Sequence, residues 1–162
     1  MRRLWAPWRM EYIKSPPPDR CVFCREPEAD PHERLILYSD DLIGVMLNRY
    51  PYSNGHLLIY PLRHIQTIET LSLEEGSRLF ALIQASTGIL RETMAPEGFN
   101  IGMNVGKVAG AGIDDHIHLH VVPRWPGDAN FMPVLADVKV MPEHLEESYK
   151  TLSLPFQKIT LS

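Results

Sequence analysis

The feature of this chain most suited to chemistry is a run in which histidine alternates with apolar residues, at His116, His118 and His120. A period of two is typical of a β-strand, and it puts the three imidazoles on one face at about 7 Å spacing. Because buried ring nitrogens need hydrogen-bond partners, this face is predicted to line a site rather than to fill a core. It could bind a metal ion through its His-x-His spacing, or one imidazole could be a nucleophile that its neighbours orient.

The chain contains two cysteines, Cys21 and Cys24, with the spacing found in metal knuckles and in redox motifs. A redox pair of the thioredoxin kind follows a strand and opens a helix, and the proline-rich residues 15–19 do not supply that strand. A zinc knuckle is therefore favoured. It needs two more ligands, for which His64 and one histidine of the alternating run are the candidates.

A loop rich in small residues, 106–112, precedes the histidine run. Three of its seven residues are glycines and two are alanines. Such loops are often only turns. Glycine also lets backbone N–H groups approach a ligand closely, as in phosphate-binding loops. Beside a candidate nucleophile, the loop is therefore also a candidate phosphate site.

Length and charge narrow the classes of protein to consider. A chain of 162 residues fits one domain, and a net charge of −4 argues against a partner that is a nucleic-acid duplex. No apolar run is long enough to span a membrane, and the N-terminus lacks the pattern of a signal peptide. We therefore expect a cytoplasmic protein that does not bind membranes.

Five strands are expected to form the sheet that positions the histidines, at residues 33–39, 42–48, 56–61, 99–105 and 115–124. Asp40 and Asp41 connect the first two strands as a hairpin, and the continuous apolar run of the third predicts a central position. Ser72 followed by Glu75 is a capping-box pattern that predicts the start of one long helix, which Pro96 and Gly98 end.

The two ends of the chain are expected to pack on this core. Residues 4–13 are too aromatic for a free tail, a short strand is expected at 133–138, and a last helix is expected to begin at Pro142. The predicted fold is α+β, an antiparallel sheet of about five strands with one long helix across it. It forms a single domain over 1–162, with an N-terminal arm at 1–20, a core at 21–124 and a C-terminal extension at 125–162.

The motifs of this chain resemble those of the histidine triad (HIT) superfamily of nucleotide hydrolases and transferases. Residues 116–122, His-Ile-His-Leu-His-Val-Val, match its defining pattern, and Asn48-Arg49-Tyr50-Pro51 with Gly55-His56 match its upstream signature. Trp5-Ala6-Pro7-Trp8-Arg9-Met10, the cysteine pair and residues 124–131 resemble the microbial diadenosine tetraphosphate phosphorylase-like branch.

The resemblance implies a division of work among the histidines. His118 would attack the α-phosphorus of a nucleotide and form a covalent nucleotidyl-histidine, and His120 would assist at the phosphate oxygens or the leaving group. His56 would line the phosphate site. The chemistry needs no metal, because a neutral imidazole that donates one N–H to a fixed acceptor keeps a lone pair on its other nitrogen.

The resemblance also implies substrate and metal contacts. Asn48 would contact the ribose and Asn104 the phosphate chain. Many relatives have Ser or Thr three residues before the first triad histidine, whereas this chain has Ile113. Backbone N–H groups of the loop around Gly110 and Gly112, or Lys107, are expected to take over that phosphate contact. Cys21, Cys24, His64 and His116 would be the ligands of a structural zinc ion.

Three functions are open at this point. The favoured one is nucleotidyl transfer from a dinucleoside polyphosphate to phosphate or water, in a homodimer of the kind usual for the superfamily. The alternatives are a nucleotide-binding module or phosphoramidate hydrolase with little activity on diadenosine polyphosphates, and a hydrolase with catalytic zinc on the triad. A closed Cys₂His₂ site gives a role to both cysteines and His64, which catalytic zinc does not.

Overall fold

The computed structural model describes residues 20–24, 28–128 and 144–161. Over these residues the chain forms one antiparallel sheet with strands in the order β1-β2-β3-β5-β4. The strands are β1 Ile36–Ser39, β2 Ile43–Leu47, β3 Leu57–Pro61, β4 Gly98–Met103 and β5 Leu119–Arg124. The helices are α1 Leu73–Met94 and α2 Leu145–Gln157. The predicted fold class is confirmed.

Local sequence explains the β1–β2 hairpin and the central position of β3. The Asp40 carboxylate accepts hydrogen bonds from the backbone N–H groups of Leu42 and Ile43, at 2.8 and 2.7 Å, and so closes the turn. All five residues of β3 are buried, and the strand pairs with β2 on one side and β5 on the other. This agrees with its continuous apolar sequence.

Helix α1 begins at the predicted capping box. The Glu75 backbone N–H donates to Ser72 Oγ at 3.0 Å, and the Ser72 backbone N–H donates to the Glu75 carboxylate at 2.7 Å. Ala95, with a left-handed φ of 48°, ends the helix just before Pro96. Its buried face includes Leu79, Leu82 and Leu90, which are part of the main core under the sheet.

The C-terminal helix completes this core. Leu152 and Phe156 of α2 are fully buried in the same cluster as the sheet residues, and the Tyr149 hydroxyl donates to the carbonyl oxygen of Ile36 at 3.1 Å. The helix begins at Leu145, whereas the expected start at Pro142, the arm at 4–13 and the strand at 133–138 lie outside the described residues. Among the described residues, no helix combines the length and the apolar character that crossing a membrane requires.

The strand that carries the histidines is shorter than expected. It starts at Leu119, and His116 and His118 lie in the extended segment before it. The ladder with β3 ends at the pair Ile59–Leu119, close to Pro61, which has no N–H to donate. The segment is held instead by the Ile117 N–H, which donates to the Ile65 carbonyl oxygen at 2.7 Å. His116 and His118 still share one side of this segment, since both rings contact Phe23, whereas Leu119 is buried in the main core.

An ion pair between buried Glu75 and the exposed side chain of Arg63 ties the start of α1 to the segment after β3. Arg63 donates from Nε and Nη2 to the two Glu75 carboxylate oxygens, at 3.0 and 2.8 Å, and Glu75 is only 4% exposed. The hydrogen bond from Arg63 lowers the pKa of Glu75 to about 2. Because the pKa of Glu75 in the folded protein is below the ordinary value of 4.5, the ion pair stabilises the fold fully above about pH 4.5. This stabilisation is lost as the pH falls from 4.5 towards 2.

We therefore expect Glu75→Gln to lower the free energy of unfolding by roughly 1–2 kcal/mol at pH 7, because charge-assisted hydrogen bonds to a buried group are lost. The difference from the wild type should shrink as the pH falls from 5 to 3. Urea unfolding of both proteins across this range measures it. A difference that stays constant down to pH 3 would contradict the assignment.

Candidate active site

A cavity lies on the face of the sheet that carries His118 and His120. Apolar walls come from β2, β3 and the cysteine segment, and the polar lining residues include Asn48 and Asn104. Gly110, Gly112 and Ile113 from the glycine-rich loop also line it. The structure therefore brings together His118, His120, the two asparagines and the loop, which come from different parts of the sequence.

His118 is held in one tautomer by the backbone. Its Nδ1–H donates to the carbonyl oxygen of His116 at 2.9 Å, and a carbonyl can only accept. Burial lowers the pKa of His118, so the ring is neutral at pH 7 and its lone pair is on Nε2. Nε2 has no hydrogen-bond partner among the described residues, and the side chain lines the cavity. This is the state that a nucleophilic imidazole requires.

His120 is set in the opposite tautomer by a chain of hydrogen bonds behind it. The Tyr52 backbone N–H donates to His56 Nδ1 at 3.0 Å, so the proton of neutral His56 is on Nε2. His56 Nε2–H then donates to His120 Nδ1 at 2.9 Å. Neutral His120 therefore carries its proton on Nε2, as a hydrogen-bond donor.

The expected position of His56 needs correction. The side chain is fully buried and does not line the cavity, contrary to a place in the phosphate-site wall. It packs under Tyr52, with ring centroids 4.9 Å apart, and reaches the cavity only through His120. Tyr52, which sequence reasoning did not single out, contributes both this ring and the backbone N–H that fixes the chain of hydrogen bonds.

The loop contributes one candidate phosphate donor rather than several. The Gly110 N–H donates to the Lys107 carbonyl oxygen at 3.0 Å, within the turn, whereas the Gly112 N–H has no hydrogen-bond partner among the described residues. Lys107 does not line the cavity, and its ammonium lies 3.7 Å from the Asp114 carboxylate. Gly106 and Gly110 have positive φ, which explains why glycine is needed there.

A second cluster combines Cys21, Cys24, His64 and His116, whose ligand atoms all lie within 4.8 Å of one another. Cys21 Sγ is 3.2 Å from His116 Nδ1, Cys24 Sγ is 3.2 Å from His64 Nδ1, and Cys24 Sγ is 3.9 Å from His116 Nδ1. A zinc tetrahedron with these ligand types has edges of roughly 3.3–3.8 Å. The donor set therefore fits a closed Cys₂His₂ zinc site.

Residues around this cluster prepare it for a cation. His116 Nε2–H donates to the Pro61 carbonyl oxygen at 2.8 Å, which turns Nδ1 towards the cysteines. Burial raises the pKa of the Cys21 thiol to about 11, so its thiolate form needs a nearby positive charge. Of the triad, only His116 belongs to this cluster. That division favours a structural metal over a catalytic metal bound by all three histidines.

Arg34 is a further residue that sequence reasoning missed. Its Nη2 donates to the carbonyl oxygens of Val22 and Cys24, at 2.6 and 2.9 Å, and so holds the backbone of the cysteine segment. Nothing in the local sequence pairs residue 34 with residues 22 and 24, because the contact depends on how the segment folds over β1.

The fold is antiparallel α+β, and its site has two adjoining parts. His118 and His120 of the histidine triad line an apolar cavity, and the third histidine, His116, belongs to a potential metal site. The comparisons agree, because residues 31–127 match the model of the HIT domain. The chain belongs to the HIT family.

The curated relatives of this chain include proteins named as enzymes. The AP-4-A phosphorylase of Mycobacterium tuberculosis is 35% identical over 94% of this chain and 83% of its own length. The bis(5′-adenosyl)-triphosphatase of Dictyostelium discoideum is 28% identical over 55% of this chain and 59% of its own length. Among solved structures, a zinc-bound histidine triad family protein from Mycobacterium smegmatis is 29% identical, with a TM-score of 0.62 over 76% of this chain and 84% of that one.

Proposed function

We propose that this protein is a nucleotidyltransferase or hydrolase that acts on dinucleoside polyphosphates through a covalent nucleotidyl-His118 intermediate. The observation that carries the proposal is the pair of opposite tautomers at the cavity, a lone pair on His118 Nε2 and a proton on His120 Nε2. The names of two enzymatic relatives support the substrate class.

In the first step His118 Nε2 attacks the α-phosphorus of the bound dinucleotide. An N–P bond forms and the bond from phosphorus to the bridging oxygen breaks, so the nucleoside polyphosphate leaves as the anion, to which the Nε2–H of His120 donates a hydrogen bond. His118 keeps its Nδ1–H on the His116 carbonyl throughout, and this contact stabilises the positive charge that the ring acquires.

In the second step an oxygen of phosphate or water attacks the phosphorus and the N–P bond breaks. The proton of the attacking group passes to the released product or to water, His118 regains the lone pair on Nε2, and His120 keeps its Nε2 proton throughout. Phosphate as acceptor produces a nucleoside diphosphate, and water produces a nucleoside monophosphate. Splitting the reaction into two displacements allows either acceptor to use the same site.

Substrate contacts are assigned on the same basis. Asn48 and Asn104 line the cavity and contact ribose and phosphate respectively, with the Gly112 N–H as an additional phosphate donor. Lys107 and Gly110, which are also candidates by sequence, are engaged elsewhere: Lys107 with Asp114, and the Gly110 N–H within the turn. The apolar side of the cavity accommodates a base.

We further propose that Cys21, Cys24, His64 and His116 hold a structural zinc ion. A closed site of this kind contributes to folding and leaves His118 and His120 free of metal coordination. The zinc-bound relative from Mycobacterium smegmatis supports the choice of metal.

The experiment that tests the function is incubation with diadenosine tetraphosphate, with and without phosphate, followed by separation of products on an anion-exchange column. ADP plus ATP, formed only with phosphate, indicates phosphorolysis, and AMP plus ATP indicates hydrolysis at the α-phosphorus. Two ADP formed without phosphate would contradict attack at that atom. Absence of turnover with bound nucleotide would favour a binding module or a phosphoramidate hydrolase.

The assigned role of His56 gives a matched pair of variants. His56→Asn keeps a polar group near the Tyr52 N–H and removes the donor to His120, so we expect kcat to fall about 10- to 100-fold. His56→Gln, whose longer amide can reach His120, should recover part of this loss. His120→Ala should itself lower kcat by roughly 10²–10⁴-fold.

Because His56 acts through His120, His56→Asn should have little further effect in the His120→Ala background. Steady-state kinetics of the four proteins measure this coupling. Additive losses in the double variant would mean that His56 contributes independently of His120.

We also propose a homodimer, formed through the free edge of β4 and the exposed face of α1. In the part of the chain that the structure describes, β4 pairs only with β5, and Ile101 on this edge strand is 45% exposed. Phe80 on α1 is 61% exposed. Apolar side chains on an unpaired edge are costly in a monomer, and pairing of two edges satisfies both the side chains and the ladder.

Size-exclusion chromatography with light scattering tests the dimer. We expect the wild type to have the mass of two chains at micromolar concentration, and Ile101→Asp to have the mass of one. Leu154→Asp is the matched control, since Leu154 is similarly exposed, at 57%, but lies on α2. A wild-type monomer, or equal effects of both substitutions, would overturn the proposed interface.

A further inference from the structure

The aromatic ring of Phe23 lies directly against the candidate nucleophile. Phe23 is 1% exposed, and its ring stacks on the His118 imidazole with centroids 4.7 Å apart and an angle of 29° between the planes. It also meets His116 edge to face, with centroids 5.3 Å apart. Among the described residues, no other aromatic ring stacks on His118, whose contact with His120 is edge to face.

The hydrogen bond that His118 donates does not by itself fix the plane of the imidazole. The contact from Nδ1 to the His116 carbonyl anchors one atom, and the imidazole can still tilt about that anchor. Tilting moves Nε2, on the far side of the ring, away from the line of attack. A flat surface packed against one face of the imidazole removes this freedom, and Phe23 supplies such a surface.

Phe23 is itself held from behind and along its backbone. Tyr60, which is 1% exposed, packs against its ring with centroids 4.9 Å apart. Arg34 donates to the carbonyl oxygens of Val22 and Cys24, the residues on either side of Phe23. The ring is therefore placed by a rigid support that does not depend on bound substrate.

We propose that Phe23 is a positioning residue for His118, whose ring sets the plane of the imidazole and aims Nε2 at the substrate phosphorus. The inference rests on the proposed function, in which His118 is the nucleophile. Phe23 also lines the cavity, so this role must be distinguished from substrate binding alone. A residue that only binds substrate affects affinity, whereas a positioning residue affects the rate of adduct formation.

The test compares Phe23→Leu with Phe156→Leu, the same substitution at an equally buried site in the main core. We expect Phe23→Leu to lower kcat and the single-turnover rate of adduct formation about 10- to 100-fold, with KM for diadenosine tetraphosphate changed less than about threefold. Phe156→Leu should lower thermal stability and leave both rates near the wild-type values. Phe23→Tyr, which keeps a flat ring, should restore most of the rate.

Nuclear magnetic resonance provides a readout that needs no turnover. The His118 ring protons lie over the face of Phe23 in the wild type, so their resonances should be shifted upfield by its ring current. Phe23→Leu should abolish that shift and Phe156→Leu should retain it. If the enzyme assay fails for the wild type, this measurement still reports whether Phe23 holds His118.

Two outcomes would overturn the proposal. A rise in KM with unchanged kcat in Phe23→Leu would assign Phe23 to substrate binding alone, and unchanged His118 resonances would show that the rings do not stack in solution. Should Phe23→Leu fail to fold, Arg34→Gln loosens the same segment with the ring retained. It should lower kcat in the same direction by a smaller factor, and an unchanged kcat in that variant would count against the proposal.

Discussion

His118→Ala is expected to abolish turnover of dinucleoside polyphosphates and to leave nucleotide binding within about tenfold of the wild type. The reason is geometric, because His118 is the triad member that lines the cavity with an acceptor nitrogen, whereas His120 presents a proton. The proposed binding contacts lie on other residues that line the cavity, among them Asn48 and Asn104, so we expect affinity to survive the loss of the nucleophile. Product assays and isothermal titration with a non-hydrolysable analogue measure the two quantities.

Brief exposure of the wild type to substrate should also give a mass increase of one nucleotidyl group on the peptide that contains His118, and the variant should show none. His32→Ala is the control, because His32 is an exposed histidine that contacts Glu146, away from the cavity. Near-normal turnover in His118→Ala would exclude the nucleophile assignment. The three triad histidines would then need to be reconsidered as a metal-binding face.

The metal cluster gives the second large effect, on stability. We expect about one equivalent of zinc per chain, and loss of most of it in Cys24→Ser, with a fall in Tm of roughly 10 °C, since a closed site contributes several kcal/mol to folding. His116→Ala should lower zinc content and stability as well. Metal analysis and calorimetry of the same samples measure both.

Chelating the zinc and then adding it back provides a matched comparison of the wild type with Cys24→Ser. Chelation should lower the Tm of the wild type to that of Cys24→Ser, and added zinc should restore the wild type alone. Wild-type protein that is purified without chelator, contains no metal and is as stable as after zinc addition would contradict the site. The two cysteines would then be free thiols.

The sequence predicted the residues of the site better than their arrangement. Spacing and resemblance placed Cys21, Cys24, His64 and His116 in one set, and the structure brings their ligand atoms together. His116 and His118 stay on one side of the chain even before the strand begins, since both rings contact Phe23.

What the sequence could not predict depends on the exact conformation of turns and on how strands pair. The place of His56 behind His120 follows from the turn that brings the Tyr52 N–H to His56, which no local pattern encodes. The Gly110 N–H donates within its own turn, which only the conformation of the turn reveals. Composition alone therefore favoured Gly110 and Gly112 equally as phosphate donors. β5 starts at Leu119 because its ladders with β3 and β4 both end there, which the sequence of β5 alone does not show.

The two supports of His118 differ in how they tolerate evolutionary change. The His116 carbonyl that accepts the Nδ1 proton belongs to the backbone, so any amino acid at position 116 can provide it. A lineage could thus exchange the proposed zinc ligands one by one and keep the tautomer of the proposed nucleophile. The Phe23 ring is a side chain, and its face against the imidazole is lost with the first non-aromatic replacement. Loss of the metal site and replacement of Phe23 are therefore separable events. Selection for catalysis should oppose the replacement of Phe23 more strongly.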